Sequence, residues 1–162
     1  MSEHEVKPEI TQFIKRLMSL DSSGKAQLKR SAGLSLAEAR KGCLGLFYSL
    51  LPQGIPTYQQ ETYFALATLY PLAEAGKEGD FGSSLARIRI PKNAKGLDRR
   101  VIILLDADEA QLSFRLRQAL HFLQSNSGHV NWEALLVDLL AWSHPNRFVQ
   151  RRWAESYFSS IK

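Results

Sequence analysis

Apolar residues recur at intervals of three and four along almost the whole chain, and this spacing is what most constrains the fold. Such a repeat marks one face of an α-helix, which turns once every 3.6 residues. Residues 84–90 alternate like a strand, but one strand has no partner, so we interpret them as a short helix that ends before Pro91. The pattern predicts an all-α fold, a compact bundle of about seven to nine helices. The clearest apolar stripes lie within residues 10–18, 112–123, 132–140 and 149–157.

Capping residues and prolines predict where the helices begin and end. Ser35 to Glu38 has the spacing of a capping box and predicts a helix that continues to Leu50. A helix is expected from Thr57 to Ala75, kinked or shortened by Pro71 because proline cannot donate a backbone hydrogen bond. Further helices are predicted over 98–105, over 108–124, after the N-cap Asn131 and after the break at 144–146, with 91–97 as an exposed basic loop.

The length of 162 residues fits one all-helical domain over 1–162. Glycine is concentrated in the segment GKEGDFG, residues 76–82, which has no apolar period. This segment leaves a second organisation open, in which a Gly-rich linker over 76–82 joins two sub-bundles, 8–75 and 82–160.

The N-terminal residues have mixed charge and no apolar centre, so no signal peptide is predicted, and no apolar run is long enough to span a bilayer. Cys43 is the single cysteine and cannot form an internal disulfide. Its apolar neighbours predict a buried, unreactive thiol. Together these features predict a cytoplasmic protein without a membrane partner.

The stretch LDRRVIILLDAD, residues 97–108, contains the most plausible catalytic pair. Asp106 and Asp108 are two residues apart, so on a helix their side chains would point about 200° apart, too far to share a metal ion. We favour helix capping: Asp106 and Glu109 have the spacing of a capping box, and Asp108 can cap the helix that follows it. An enzyme that uses both aspartates is the weakest alternative. The apolar residues 101–105 are expected to form a buried turn.

No other pattern predicts catalysis or a bound cofactor. The histidines lack the spacing of zinc ligands, and no serine lies in a Gly-x-Ser-x-Gly elbow. Residues 21–25 resemble half of a phosphate-binding loop but lack its first glycine. We therefore expect no catalytic residue, no metal site and no cofactor. The histidines are His4, His121, His129 and His144.

The basic residues are more informative because they cluster. A formal net charge of +5 favours acidic partners, nucleic acid first, and arginine can hold a phosphate in a bidentate manner. No zinc finger, RNP motif or recognition-helix pattern is present, and the aromatic residues are expected to point mostly inward. The clusters thus predict non-specific, salt-sensitive binding to phosphate backbones. The candidate nucleic-acid-binding residues are Lys29, Arg30, Arg99, Arg100, Arg115, Arg117, Arg147, Arg151 and Arg152, with Lys92 and Lys95 assigned on charge alone.

Five stretches of the C-terminal half resemble the CasB family, the small subunit of the type I-E CRISPR surveillance complex Cascade. They occur in the family's order, and a weaker match, AQLKR (26–30), precedes them. The similarity extends over about residues 10–158 and departs from the family at 88–90, where a simpler apolar helix end is expected. The five stretches are GSSLARIRI (82–90), DRRVIILLDAD (98–108), LSFRLRQAL (112–120), VNWEALLVDLLAW (130–142) and VQRRWAESYF (149–158).

The resemblance implies an all-helical, non-enzymatic subunit, two copies of which pack head to tail along the backbone subunits that carry the crRNA. It implies that basic faces hold the target DNA and the displaced single-stranded DNA and so stabilise the R-loop, while a separate nuclease-helicase cleaves. The implied protein partners are the backbone and large subunits of Cascade. A structural adaptor, whose arginines bind acidic faces of proteins only, is the competing hypothesis. By motif, the family's basic positions fall on Lys29, Arg30, Arg99, Arg100, Arg117, Arg147 and Arg152, with Arg151 at a variable position.

Overall fold

Helices make up most of the computed structural model, which describes residues 6–161. The all-α prediction is confirmed, and the number of α-helices in this range, nine, agrees with the expected number. Two short 3-10 helices, Leu36–Glu38 and Tyr70–Leu72, lie between them. The α-helices are α1 (Pro8–Met18), α2 (Ser22–Lys29), α3 (Cys43–Leu50), α4 (Thr57–Leu69), α5 (Phe81–Arg87), α6 (Ala94–Leu105), α7 (Glu109–Ser125), α8 (Trp132–Leu140) and α9 (Phe148–Phe158).

A short parallel pairing joins β1 (Glu74–Ala75) to β2 (His129–Val130). The sequence analysis missed it, because two-residue strands are too short to show an alternating pattern. It continues into the segment 76–82, where the Gly76 amide donates to the Val130 carbonyl at 2.8 Å. The chain on both sides of this segment therefore lies close together.

One hydrophobic core receives side chains from both halves of the chain. Phe13 on α1 packs edge to face against Phe47 on α3 and Tyr63 on α4, with ring centroids 6.4 and 5.0 Å away. α1 and α4 also pack against α8. Cys43 is fully buried in this core, as predicted. None of the helices described is both long and apolar enough to cross a membrane.

The predicted helix from Ser35 to Leu50 is wrong in its extent. The capping box between Ser35 and Glu38 forms, but it opens only a single 3-10 turn. Gly42 has a φ of +84°, a left-handed conformation that glycine adopts without strain, and α3 begins only after it. A backbone reversal therefore separates the capping box from the helix it was expected to start.

The prediction for 57–75 is confirmed in its start and in the shortening at Pro71, since α4 ends at Leu69. The last residues of that range form β1 rather than helix. The short helix expected near 84–90 is confirmed as α5, although it begins at Phe81, where Asp80 accepts a hydrogen bond from the Ser83 amide.

The boundary of the central helix is also corrected. α6 begins at Ala94, inside the expected loop 91–97, because the fully buried Leu97 adds a turn to the apolar stripe of Val101 and Leu104. Arg99 and Arg100 therefore lie in the second turn of α6, not at its start.

α5 packs closely along α9, and Gly82 makes this approach possible. A methyl group at Gly82 would lie 2.4 Å from the Trp153 carbonyl oxygen and 2.9 Å from its Cα. The two backbones thus meet at a distance that only glycine allows.

Gly82→Ala is expected to destabilise the protein by about 2–3 kcal/mol, since the added methyl must push α5 away from α9. Thermal unfolding measures the effect. Gly45→Ala is the matched control: Gly45 is exposed in α3, and apart from its chain neighbours and the backbone of its own helix no atom lies within 4 Å of the added methyl. It should raise stability by up to about 1 kcal/mol, because alanine favours the helix. Equal melting temperatures for both variants would contradict the close-packing argument.

Candidate nucleic-acid interface

The stretch LDRRVIILLDAD folds as the second half of α6 and the turn into α7. The expectation that 101–105 form a buried turn is wrong in part, because only positions three or four apart face the core of a helix. Val101 and Leu104 are buried, whereas Ile102 and Ile103 are 51% and 36% exposed. This helix therefore presents an apolar pair beside its arginines.

Helix capping explains Asp108. Its carboxylate accepts a hydrogen bond from the Gln111 amide at 2.9 Å, as predicted for the N-cap of α7. Asp106 lies at the C-terminal end of α6, and no capping-box bond to Glu109 forms within residues 6–161; Glu109 accepts from the Ser143 hydroxyl instead. The prediction for Asp106 is therefore wrong, because the chain between the two helices turns at Asp106 rather than starting α7 there.

Metal ligands do not gather anywhere in the described range. No group of three or more metal-ligating side chains occurs among the residues described. Of the four histidines, His4 lies outside those residues.

Most of the candidate basic side chains are free of acidic partners. Among the nine candidates, Arg152 alone forms an ion pair with a carboxylate in the described part of the chain. The others lie at the end of α2, on α6, on α7 and at the start of α9. Apart from the half-buried Arg115, they are exposed: Lys29, Arg30, Arg99, Arg100, Arg117, Arg147 and Arg151.

α6 packs against α7, and Arg100 lies at this contact. The Arg100 guanidinium lies over the Phe122 ring of α7, 4.7 Å from its centroid, and donates to the Gly96 carbonyl at 3.2 Å. Arg115 lies 5.4 Å from the Phe114 centroid. We call Arg99 and Arg100 of α6, together with Phe114, Arg115 and Phe122 of α7, the α6–α7 face.

Arg117 lies on another side of α7. A methyl group built on Gly33 would be 3.3 Å from the Arg117 Cδ, so this side chain passes over the loop that follows α2. That loop begins just after Lys29 and Arg30. Arg117 thus lies near the end of α2, a proximity that sequence spacing alone does not indicate.

Arg147 and Arg151 lie at the start of α9. Arg147 has a left-handed backbone with a φ of +55°, and its guanidinium donates to the Leu105 carbonyl at the end of α6. The cation thus lies where the helix dipole of α6 is negative, which stabilises it. Arg151, one turn further, is exposed.

Arg152 belongs to a buried polar network that the sequence analysis missed. Its guanidinium pairs with Asp138 of α8 and lies 3.6 Å from Asp80, the N-cap of α5. Asp138 is 4% exposed and also accepts from the Trp153 indole at 2.8 Å. Burial raises the pKa of Asp138, while the hydrogen bonds from Arg152 and Trp153 oppose that rise. Arg152 therefore links three helices.

A second missed pair lies beside the candidate arginines. Arg89 donates to both carboxylate oxygens of Asp98 at 2.8 and 2.9 Å, and the Tyr157 hydroxyl donates to the same carboxylate. The hydrogen bonds from Arg89 hold the pKa of Asp98 below its usual range. The charge of Asp98 is thus neutralised within the protein. Arg89 lies within residues 88–90, where the sequence departs from the CasB family.

The expectation that aromatic side chains point mostly inward is confirmed, since ten of the sixteen are buried, but it has exceptions. The three tryptophans are buried, but Tyr58 is 81% exposed and Phe114 is 48% exposed. The buried stripe of α7 consists of leucines and one alanine, so Phe114 has no place in it.

The charged residues that line one groove are all glutamates. A groove of about 640 Å³ lies between the start of α4 and the start of α7, with Glu38, Glu61, Glu109 and Tyr58 among the residues that line it. None of the three glutamates pairs with a cation in the range 6–161. Phosphate would be repelled from these glutamates, so this groove is not a candidate for binding nucleic acid.

The fold and the surface define a basic all-helical protein whose arginines face solvent on several helices. The chain belongs to the CRISPR-associated Cse2 family, whose model matches residues 24–158. The resemblance noted from the sequence is therefore confirmed.

Individual relatives agree with this assignment. The CRISPR-associated protein Cse2 of Thermus thermophilus is 38% identical over 106 residues, which cover 63% of this chain and 59% of that protein. The chain thus spans about 59% of the curated relative it matches. The crystal structure of CasB from Thermus thermophilus is 27% identical, with a TM-score of 0.75 and coverage of 93% of this chain and 96% of that chain. A chain of a CRISPR RNA-guided surveillance complex shares the fold at 20% identity, with a TM-score of 0.78 and coverage of 94% and 93%.

Proposed function

We propose that this chain is a non-catalytic subunit of a Cascade-type CRISPR surveillance complex. Its family and the fold it shares with a chain of such a complex support this proposal. The protein partners in this role are the backbone and large subunits, with the crRNA bound along them, and a second copy of this chain in a head-to-tail pair. The cytoplasm is the compartment for this role.

Within that complex, we propose that the chain binds nucleic-acid backbones without reading sequence and stabilises the R-loop. The observation that carries this is the set of exposed arginines without carboxylate partners in residues 6–161, on α6, α7 and α9. R-loop formation exchanges one duplex for another of similar stability, so backbone contacts of about 1 kcal/mol each can shift the balance. The target strand and the displaced strand are the ligands.

The salt dependence of single-stranded DNA binding tests this proposal. Fluorescence anisotropy with two labelled oligonucleotides of unrelated sequence should give equal affinities, since no base is read. A phosphate-binding surface predicts a log–log slope of about −0.7 per contacted phosphate, so three contacts give about −2. Absence of binding by the full chain at low salt would contradict the proposal.

A structural adaptor is the second candidate, and one observation favours it. Ile102 and Ile103 are exposed beside Arg99, and an apolar pair rimmed by a cation suits a protein surface. An adaptor would assemble with the other subunits yet bind no DNA on its own. The same salt titration therefore separates the two functions.

A further inference from the structure

Phe114 is an exposed aromatic ring on a stretch of α7 that has no acidic residue. It is 48% exposed, and the Arg115 guanidinium lies 5.4 Å from its centroid. From Gln111 to Ser125 the helix carries no acidic residue. Arginine beside an accessible ring is the combination that binds unpaired nucleotides, since the cation attracts phosphate while the ring stacks on a base.

A second flat surface lies on the same helix. Phe122 is partly buried, and the Arg100 guanidinium covers its ring at 4.7 Å. Eight residues separate Phe122 from Phe114, which corresponds to about 12 Å along the helix axis. A guanidinium plane also stacks on bases, so the α6–α7 face offers two stacking positions and at least two phosphate-binding cations.

We propose that the α6–α7 face binds single-stranded nucleic acid by stacking unpaired bases on Phe114 and on the Arg100 guanidinium, with phosphates held by Arg99 and Arg115. This inference rests on the proposed function and adds to it the side chains on which unpaired bases stack. A duplex hides the faces of its bases, so it can use only the arginines. The face should therefore distinguish single strands from duplexes although it reads no sequence.

Phe114→Leu in the full chain tests the stacking contribution. Leucine retains apolar bulk but has no π face, so affinity for a labelled oligo-dT should fall about fivefold or more. Affinity for a duplex of equal length should stay unchanged, and so should the salt slope, because no phosphate contact is lost. Phe114→Trp should retain the affinity of the original protein for oligo-dT.

Tyr58→Leu is the matched control, since Tyr58 is an exposed aromatic residue on the acidic groove. Its loss should leave binding unchanged. If Phe114→Leu binds oligo-dT as tightly as the original protein while arginine variants bind weakly, the stacking proposal is wrong and the proposed function stands. If Phe114→Leu prevents assembly of the complex but leaves oligo-dT binding unchanged, Phe114 contacts a protein, and the stacking proposal is again wrong. If the original protein binds neither probe, the proposed function fails as well.

Discussion

Replacing Arg99 and Arg100 with glutamate is expected to lower the affinity for single-stranded DNA about 100-fold at low salt. Reversal at Arg99 removes a phosphate contact and reversal at Arg100 removes a stacking cation. Each also adds a repulsion, and we expect about 1.4 kcal/mol per residue, which is a factor of ten. The loss should shrink as salt rises, because the phosphate contact of Arg99 contributes about −0.7 to the log–log slope. Anisotropy titrations over a range of salt concentrations measure both quantities.

The matched control reverses two lysines elsewhere. Lys7 and Lys15 are exposed on or beside α1, and Lys7→Glu/Lys15→Glu changes the net charge by the same amount. If binding depended only on net charge, both double variants would lose affinity equally, and the α6–α7 face would not be the site. Thermal unfolding must accompany the titrations. A large loss of stability in the arginine variant would assign the pair a structural role, to which Arg100 contributes through its contact with Phe122.

Arg152→Met is expected to lower the free energy of unfolding. The substitution leaves the buried Asp138 carboxylate without its cation, and removal of one partner of a buried ion pair is strongly destabilising. Because Arg152 is 42% exposed, we expect the low end of that effect, about 2–3 kcal/mol, or a melting temperature lower by roughly 5–10 °C. Arg151→Met is the matched control: Arg151 has no ion pair within residues 6–161, so the variant should unfold like the original protein.

The pH dependence of the Arg152→Met defect identifies its cause. Burial raises the pKa of Asp138 above its value in the unfolded chain, so the folded protein binds this proton more tightly and stability from this group falls as pH rises. Without Arg152 the pKa rises further. The defect should therefore be largest near pH 7 and diminish as the pH is lowered towards the usual carboxyl range. A defect that stays constant over that range would indicate lost packing rather than an unpaired charge.

Local features of the fold were predictable from the sequence. The buried stripe of α7 and the caps Asp108 and Asn131 were correctly predicted. Each depends on residues within a few positions of one another, whose relation is set by the helix period. The predictions failed where one left-handed residue, Gly42, interrupts the expected helix. They also failed where the paired segments are distant in sequence, as β1 and β2 are.

At the candidate interface, too, some features follow from local sequence and others only from contacts between distant residues. The sequence alone determined that the chain is helical, that its cations cluster and that its family is Cse2. Only the tertiary structure decided that Arg152 pairs with Asp138 and Asp80 while Arg151 faces solvent, and that Arg100 of α6 lies over Phe122 of α7. The physical reason is that the charge of a side chain follows from its residue type. Whether that side chain can bind a ligand depends on whether another side chain, distant in sequence, already pairs with it. Asp80 is 72 positions from Arg152, and no helical period relates them.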